Sequence, residues 1–279
     1  MRGINKVKTD QKLRSLVVLL TAALLLVMVT AMTGCVKPSE QKPSEQKSSQ
    51  VKAPGQVKIP EKDQIIQAVR VLPEVTKNDE AAISTNLRIP QISGMKNVEI
   101  QKSINKALAE RSLQLLSENT QDARAFYEET TKTGDHFWKY EMVVDYTVHY
   151  NQNGILSLTI DNYQFTGGAH GGTERLPFNI DLNTGEFLAL QDLFTPGFAY
   201  QSIIDDEVGK EIAKYTDGFF EGEEGFNGIG DNRTYYLIPG YIVVYFAQYE
   251  IAPYSTGMPE FKIPMERFGA SIDQRLLKK

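Results

Sequence analysis

The chain has 279 residues, 41% of them hydrophobic and 23% charged, with 12 prolines, one cysteine and a formal net charge of −5. That composition excludes a low-complexity polymer and a disulfide-stapled miniprotein, and it suffices for one large or two small cores. From Glu61 onward 20 lysines and arginines stand against 32 acidic residues, a balance of −12. Such a surface repels nucleic acid and anionic wall polymers and favours cationic partners.

Arg2, Lys6, Lys8, Lys12 and Arg14 precede the apolar run Leu16–Val29, and Met32-Thr33-Gly34-Cys35 follows it. A basic start, an apolar stretch and small residues before a cysteine predict a lipoprotein signal peptide over residues 1–34, with Cys35 lipidated. The alternative is an uncleaved anchor, since the run reaches the lower limit for a span. Lipidation at Cys35 would place the protein outside the cytoplasm, tied to the cell membrane. Residues 35–60 then read as a disordered linker. Lys37-Pro-Ser-Glu-Gln41 recurs as Lys42-Pro-Ser-Glu-Gln46, with few apolar groups to offset ordering entropy.

Residues 83–92 alternate Ile83, Thr85, Leu87 and Ile89 against Ser84, Asn86 and Arg88, which predicts a half-buried strand. Over residues 97–119 the period changes. Ile100, Ile104, Ala107, Leu108, Arg111 and Leu115 predict a long amphipathic helix that continues weakly to Phe126. Trp138, Tyr140, Met142, Val144, Tyr146, Val148 and Tyr150 then form an alternating stripe expected to face the core. Asn151-Gln-Asn-Gly154 predicts a hairpin turn into a partner strand over 155–165. Next comes a loop with four glycines around His170, read as a junction between two halves of the fold.

Leu176, Phe178, Ile180 and Leu182 alternate again up to Asn183-Thr-Gly185, with a returning strand expected over 187–190. Thr195 and Pro196 read as N-cap and first residue of a helix whose stripe is Tyr200, Ile204, Val208 and Ile212. Residues 217–231 are loop, and their carboxylates match no calcium-loop spacing. A hairpin over 235–238 and 241–249, a loop to Glu260 and a short strand over 261–263 follow. The fold class is α+β, with antiparallel sheets and a packed helix in each of two subdomains, 61–167 and 168–279.

Several of these segments resemble a known family. Leu87-Arg-Ile-Pro-Gln-Ile-Ser-Gly94 before the helix, Thr166-Gly-Gly-Ala-His-Gly171, Asn179-Ile-Asp-Leu-Asn-Thr-Gly185, Asp192-Leu-Phe194 and residues 245–260 carry the likeness, which covers about residues 81–271. They resemble the family that includes the lysozyme-binding extracellular domain of the anti-sigma-V factor RsiV and the N-terminal domain of the peptidoglycan deacetylase PdaC. The resemblance implies a recognition module. The stretch before the apolar run is short for a sigma-factor-binding region, and the segment matching a deacetylase domain is not among the motifs.

Three histidines, His136, His149 and His170, stand at no metal-ligand spacing, and no nucleophile elbow or phosphate loop appears. The expectation is a binder without catalytic residues, metal or cofactor. The resemblance implies a lysozyme-type protein as partner, with loops of the module in the enzyme's cleft. Pro253, Tyr254, Ser255, Thr256 and Gly257 are the leading contact candidates, for a rigid proline beside an aromatic anchor. Gly168 and His170 of the glycine loop come second. The alternatives are a peptidoglycan fragment bound by exposed aromatics such as Trp138, and an uncharacterised hydrolase.

Overall fold

Five strands build the larger sheet: β1 (Arg70–Asp79), β2 (Ile83–Ser93), β3 (Tyr140–Gln152), β4 (Ile155–Phe165) and β5 (Gly172–Asp181), hydrogen-bonded in that order. The structure is a computed structural model in which residues 68–278 are described. The expected signal peptide, Cys35 and the expected linker lie outside the described residues. Neighbouring strands are antiparallel except β2 and β3, which run parallel from Ile83↔Tyr140 to Leu87↔Val144. Parallel neighbours need a crossover, and helix α1 (Val98–Thr133) supplies it.

Asn97 caps α1, its side chain accepting the N–H groups of Glu99 and Ile100, and Gly134 ends it in a left-handed conformation. The helix has 36 residues, longer than the apolar stripe suggests. Ile104, Leu108 and Leu115 pack on Leu87, Met142, Val144, Leu156, Leu158 and Ile160 as the first core. Past Leu115 the buried face is Asn119, Ala123 and Thr130, small or polar residues that carry no hydrophobic period.

One strand goes unmarked in the sequence, and two sequence expectations give way here. Strand β1 is an edge strand with most side chains exposed, so it shows no alternation. Trp138 is 49% exposed, ahead of β3 and outside the core. A β-bulge between Val148 and Tyr150 reverses the stripe, leaving Val148 exposed and sending Tyr150 into the second core.

The second sheet is β6 (Tyr235–Ile238), β7 (Tyr241–Tyr245) and β8 (Glu260–Pro264), antiparallel in that order. Helix α2 (Tyr200–Ile212) lays Ile204 and Val208 against Leu237, Ile242, Val244, Phe246, Phe261 and Ile263. It starts later than Thr195-Pro196 suggests. Those residues form a turn closed by Phe198 N–H on Thr195 O (3.1 Å), and Gly197 at φ +80° turns the chain away before the helix begins. The returning strand at 187–190 is a single bridge, Ile180↔Phe187.

The two sheets meet through side chains on the face of the larger sheet opposite α1. Ser157 Oγ accepts Leu237 N–H (2.8 Å), and Asn179 Nδ2 donates to Tyr235 O (2.9 Å). Because β5 pairs with β4 along its length, the larger sheet continues past the expected division at 167/168. The glycine loop is therefore a connection within one sheet.

Two asparagines gather the ends of the described chain. Asn151 Oδ1 accepts Val69 N–H (3.1 Å) while its Nδ2 donates to Val69 O (2.7 Å), and Asn153 Nδ2 donates to Arg275 O (3.1 Å). The glycine loop sits at the other end of β4, which has 11 residues and so spans about 35 Å.

Candidate functional site

Residues 166–171 and 248–257 are far apart in sequence and meet at that distal end. Gly171 makes the meeting possible. A Cβ there would lie 2.4 Å from Gln164 O and 2.6 Å from the Tyr163 ring, so only glycine lets the loop turn back so tightly into β5. Tyr254 then reaches across: its hydroxyl donates to Gly171 O (3.1 Å), and its ring stacks on His170 with centroids 3.8 Å apart and planes at 16°. Gln248 fastens the same seam, its Oε1 accepting Thr173 N–H at 3.1 Å.

His170 is exposed. Its Nδ1 lies 2.9 Å from Gly171 O, and a carbonyl only accepts, so Nδ1 carries the hydrogen. The lone pair of Nε2 is left toward the Tyr249 hydroxyl at 3.5 Å. Tyr249 is 56% exposed, its ring 5.7 Å from that of Tyr254. Sequence reading placed Tyr249 at the end of a strand and missed it as a site residue; no local motif marks it.

The other expected contacts surround this group. Pro253 leads into the single helical turn Tyr254–Thr256, half-buried like Tyr254 itself, while Ser255 and Thr256 are exposed. Thr256 Oγ1 donates to Gly218 O (3.1 Å), and Gly257 closes the turn at φ +76°. Gly168 is exposed at φ +93°. Gly167 lies against Trp138, where an added Cβ would stand 3.5 Å from the indole, and His136 meets the same indole edge-on at 4.4 Å. Cys35 lies outside the described residues.

His170 does not pair with Glu250. That carboxylate is taken by Arg233 Nη1 (2.6 Å) and by Ala247 N–H (2.8 Å). Among the described residues no three His, Cys, Asp or Glu side chains converge as a metal site.

A second polar group lies between the sheets. Arg175 grips Asp161 with two bonds (2.7 and 2.8 Å), also meets Glu260, and lies over the Tyr245 ring. Tyr236 donates to Glu260 Oε2 (2.9 Å), and burial pushes its hydroxyl well above the ordinary range. His149, the extra residue of the β3 bulge, stacks on Tyr236 at 3.9 Å and reaches Thr159 Oγ1 at 2.9 Å. Every charge in the group has a partner in the other sheet or strand, as a clamp between layers requires.

Comparison with known proteins follows the same two segments. A family model described as deacetylase PdaC matches residues 76–173, and one described as a protein of unknown function, DUF3298, matches residues 191–266. Over 161 residues, 56% of this chain, there is 27% identity to the peptidoglycan-N-acetylmuramic acid deacetylase PdaC of Bacillus subtilis. Over 220 residues, 74% of this chain, there is 27% identity to the anti-sigma-V factor RsiV of the same organism. The chain is homologous to both. The matches span 32% of the length of PdaC and 71% of that of RsiV.

Two crystal structures share the fold, each at 21% identity and each covering 77% of this chain and 97% of the other. A DUF3298 family member from Bacteroides fragilis superposes with a TM-score of 0.61, and a DUF3298 family protein from Pseudomonas aeruginosa with 0.50. His170 falls in the PdaC-like segment and Tyr249 and Tyr254 in the DUF3298-like one, so the aromatic surface joins the two.

Proposed function

We propose that this chain is a non-catalytic, lipid-anchored cell-envelope protein whose distal aromatic surface recognises a cationic wall hydrolase of the lysozyme type. The observation that carries this reading is the meeting of the two loops: His170, Tyr249 and Tyr254 stand together on a domain whose balance of charge is −12. The field attracts a cationic protein from beyond contact distance, and rigid rings then anchor it at low entropic cost. The homology to RsiV and PdaC, an anti-sigma factor and an enzyme of peptidoglycan, supports an envelope role.

The test is binding of the full chain, in neutral detergent, to an immobilised cationic lysozyme. Tyr254→Ala should cost at least ~2 kcal/mol, about thirtyfold in Kd. Association should slow steeply between low and physiological salt while dissociation changes less. Unchanged affinity in Tyr254→Ala, or salt-independent association, rejects this surface.

The exposed Trp138 beside Gly167 favours a second reading, a peptidoglycan fragment stacked on the indole. Retention of muropeptides with no binding of lysozyme would support it. Turnover of either ligand would refute the non-catalytic role.

A further inference from the structure

A cleft of about 500 Å³ opens between α2 and β8. Phe219, Phe261 and Ile263 give it an apolar floor, and Glu207 and Glu211 of α2, with Tyr215 just beyond the helix, form one wall. The opposite wall is the rim of a sheet, since β8 is the last strand in the order β6-β7-β8. Phe246 N–H donates to Pro259 O (3.0 Å) and Met265 N–H to Gly240 O (2.9 Å). With the register Val244↔Phe261 and Ile242↔Ile263, the ladder bonds to β7 run through Phe261 and Ile263. The intervening residues of an antiparallel strand point the other way. The N–H and C=O groups of Glu260 and Lys262 therefore face outward along the cleft, and Pro264, which has no N–H, ends the row.

We infer that this groove takes an extended, lysine- or arginine-bearing segment of a protein partner as a fourth strand beside β8. A strand edge flanked by a helix over an apolar floor is a geometry for such strand addition, in which main-chain bonds give affinity and alternate side chains give selectivity. Charge selects the occupant. Three carboxylates, Glu207, Glu211 and Asp217, line the cleft beside one ammonium, Lys262, while the Glu260 carboxylate is held by Arg175 and Tyr236. Glu207 meets Arg267 and Lys210, and Glu211 meets Lys214, but these pairs are partly exposed and weak enough to exchange for a partner's cations.

The identity of the occupant rests on the cationic-partner reading above, to which the groove adds a second contact. Thr256 connects the two places, since it lines the cleft and belongs to the turn that begins with Tyr254.

The experiment titrates the full chain in neutral detergent with a fluorescein-labelled Lys-Val-Lys-Val-Lys-Val peptide. A second peptide of the same sequence carries N-methyl groups on alternate backbone nitrogens, which keeps its charge and removes its outward donors. The plain peptide should bind, and the methylated one at least tenfold more weakly. This comparison is read on the unaltered protein. Lys262→Pro, which removes an outward donor and no ladder bond, should bring a similar loss, while Tyr254→Ala should not. Equal binding of both peptides, or no binding of either, overturns the inference. Lysozyme binding that survives Lys262→Pro but not Tyr254→Ala keeps the aromatic surface and rejects the groove as its second contact.

Discussion

Tyr249 holds φ at +66°, a left-handed conformation in which a side chain costs about 1–2 kcal/mol. Its turn is closed by Glu250, whose N–H donates to Ala247 O (3.1 Å) and whose carboxylate accepts Ala247 N–H (2.8 Å). Glycine would suit the backbone better, so the ring is retained at a cost and stands at the candidate surface. Tyr249→Gly is expected to raise stability in urea by up to about 1 kcal/mol while weakening binding of the partner. A fall in stability would show that the ring holds the fold together.

His149 is the other residue whose setting alternation conceals, because the bulge alone turns it toward Tyr236. Burial foremost, then the Arg175 guanidinium, hold its imidazole below the usual range, against the opposing pull of Glu260 and Asp161. The unfolded chain therefore takes up the proton first as pH falls through about 6.5. The contribution of the neutral ring is complete above that pH and is lost as the solution becomes more acidic. His149→Phe, which retains a ring on Tyr236, should flatten the decline in stability from pH 7 to 5. An identical slope in both proteins would exclude His149 as its source.

At the scale of elements, α1 shows where reading the sequence stops. Its first half was legible because Ile104, Leu108 and Leu115 repeat at helical spacing. Its second half lies on the sheet through polar contacts: Asn119 Nδ2 donates to Gln164 Oε1 (2.7 Å), and nothing in a hydrophobic period announces that. Between the halves Ser112 Oγ donates to Asn162 Oδ1 at 2.6 Å, both residues being fully buried. Asn162 Nδ2 has no partner there. Ser112→Ala would leave the whole amide unsatisfied and should cost about 1–3 kcal/mol in urea denaturation. Adding Asn162→Leu should recover much of that, since removing both polar partners is less costly than orphaning one. Additive losses in the double variant would mean that the pair is not coupled.

The turns were legible for a similar reason as the helix start. Asn153-Gly154 and Pro239-Gly240 name their hairpins by residue type, whereas the edge strand β1 has no buried face to betray it. Of the candidate surface, the sequence showed both loops. It could not show that they touch, because the Tyr254 contact with Gly171 spans 83 residues.

For the whole molecule, the described chain begins at one end of the larger sheet and presents its aromatic surface at the other. A lipid on Cys35, proposed from the sequence, would tie the chain to the membrane. Cys35→Ala should abolish labelling of the protein by a fatty acid and release it from the membrane fraction. Unchanged labelling would reject the anchor.

The placement of Val69 also determines how the domain bears a load. Tension between a membrane tether and a partner held at the distal loops would run along the strands, with β1 drawn toward the membrane and β4 and β5 away from it. The ten register pairs of β1 and β2 lie across that direction, so they are strained in shear and share the force, instead of parting one after another like a zipper. An edge strand that adds little to the core would then be the mechanical link through which the protein is held under pull.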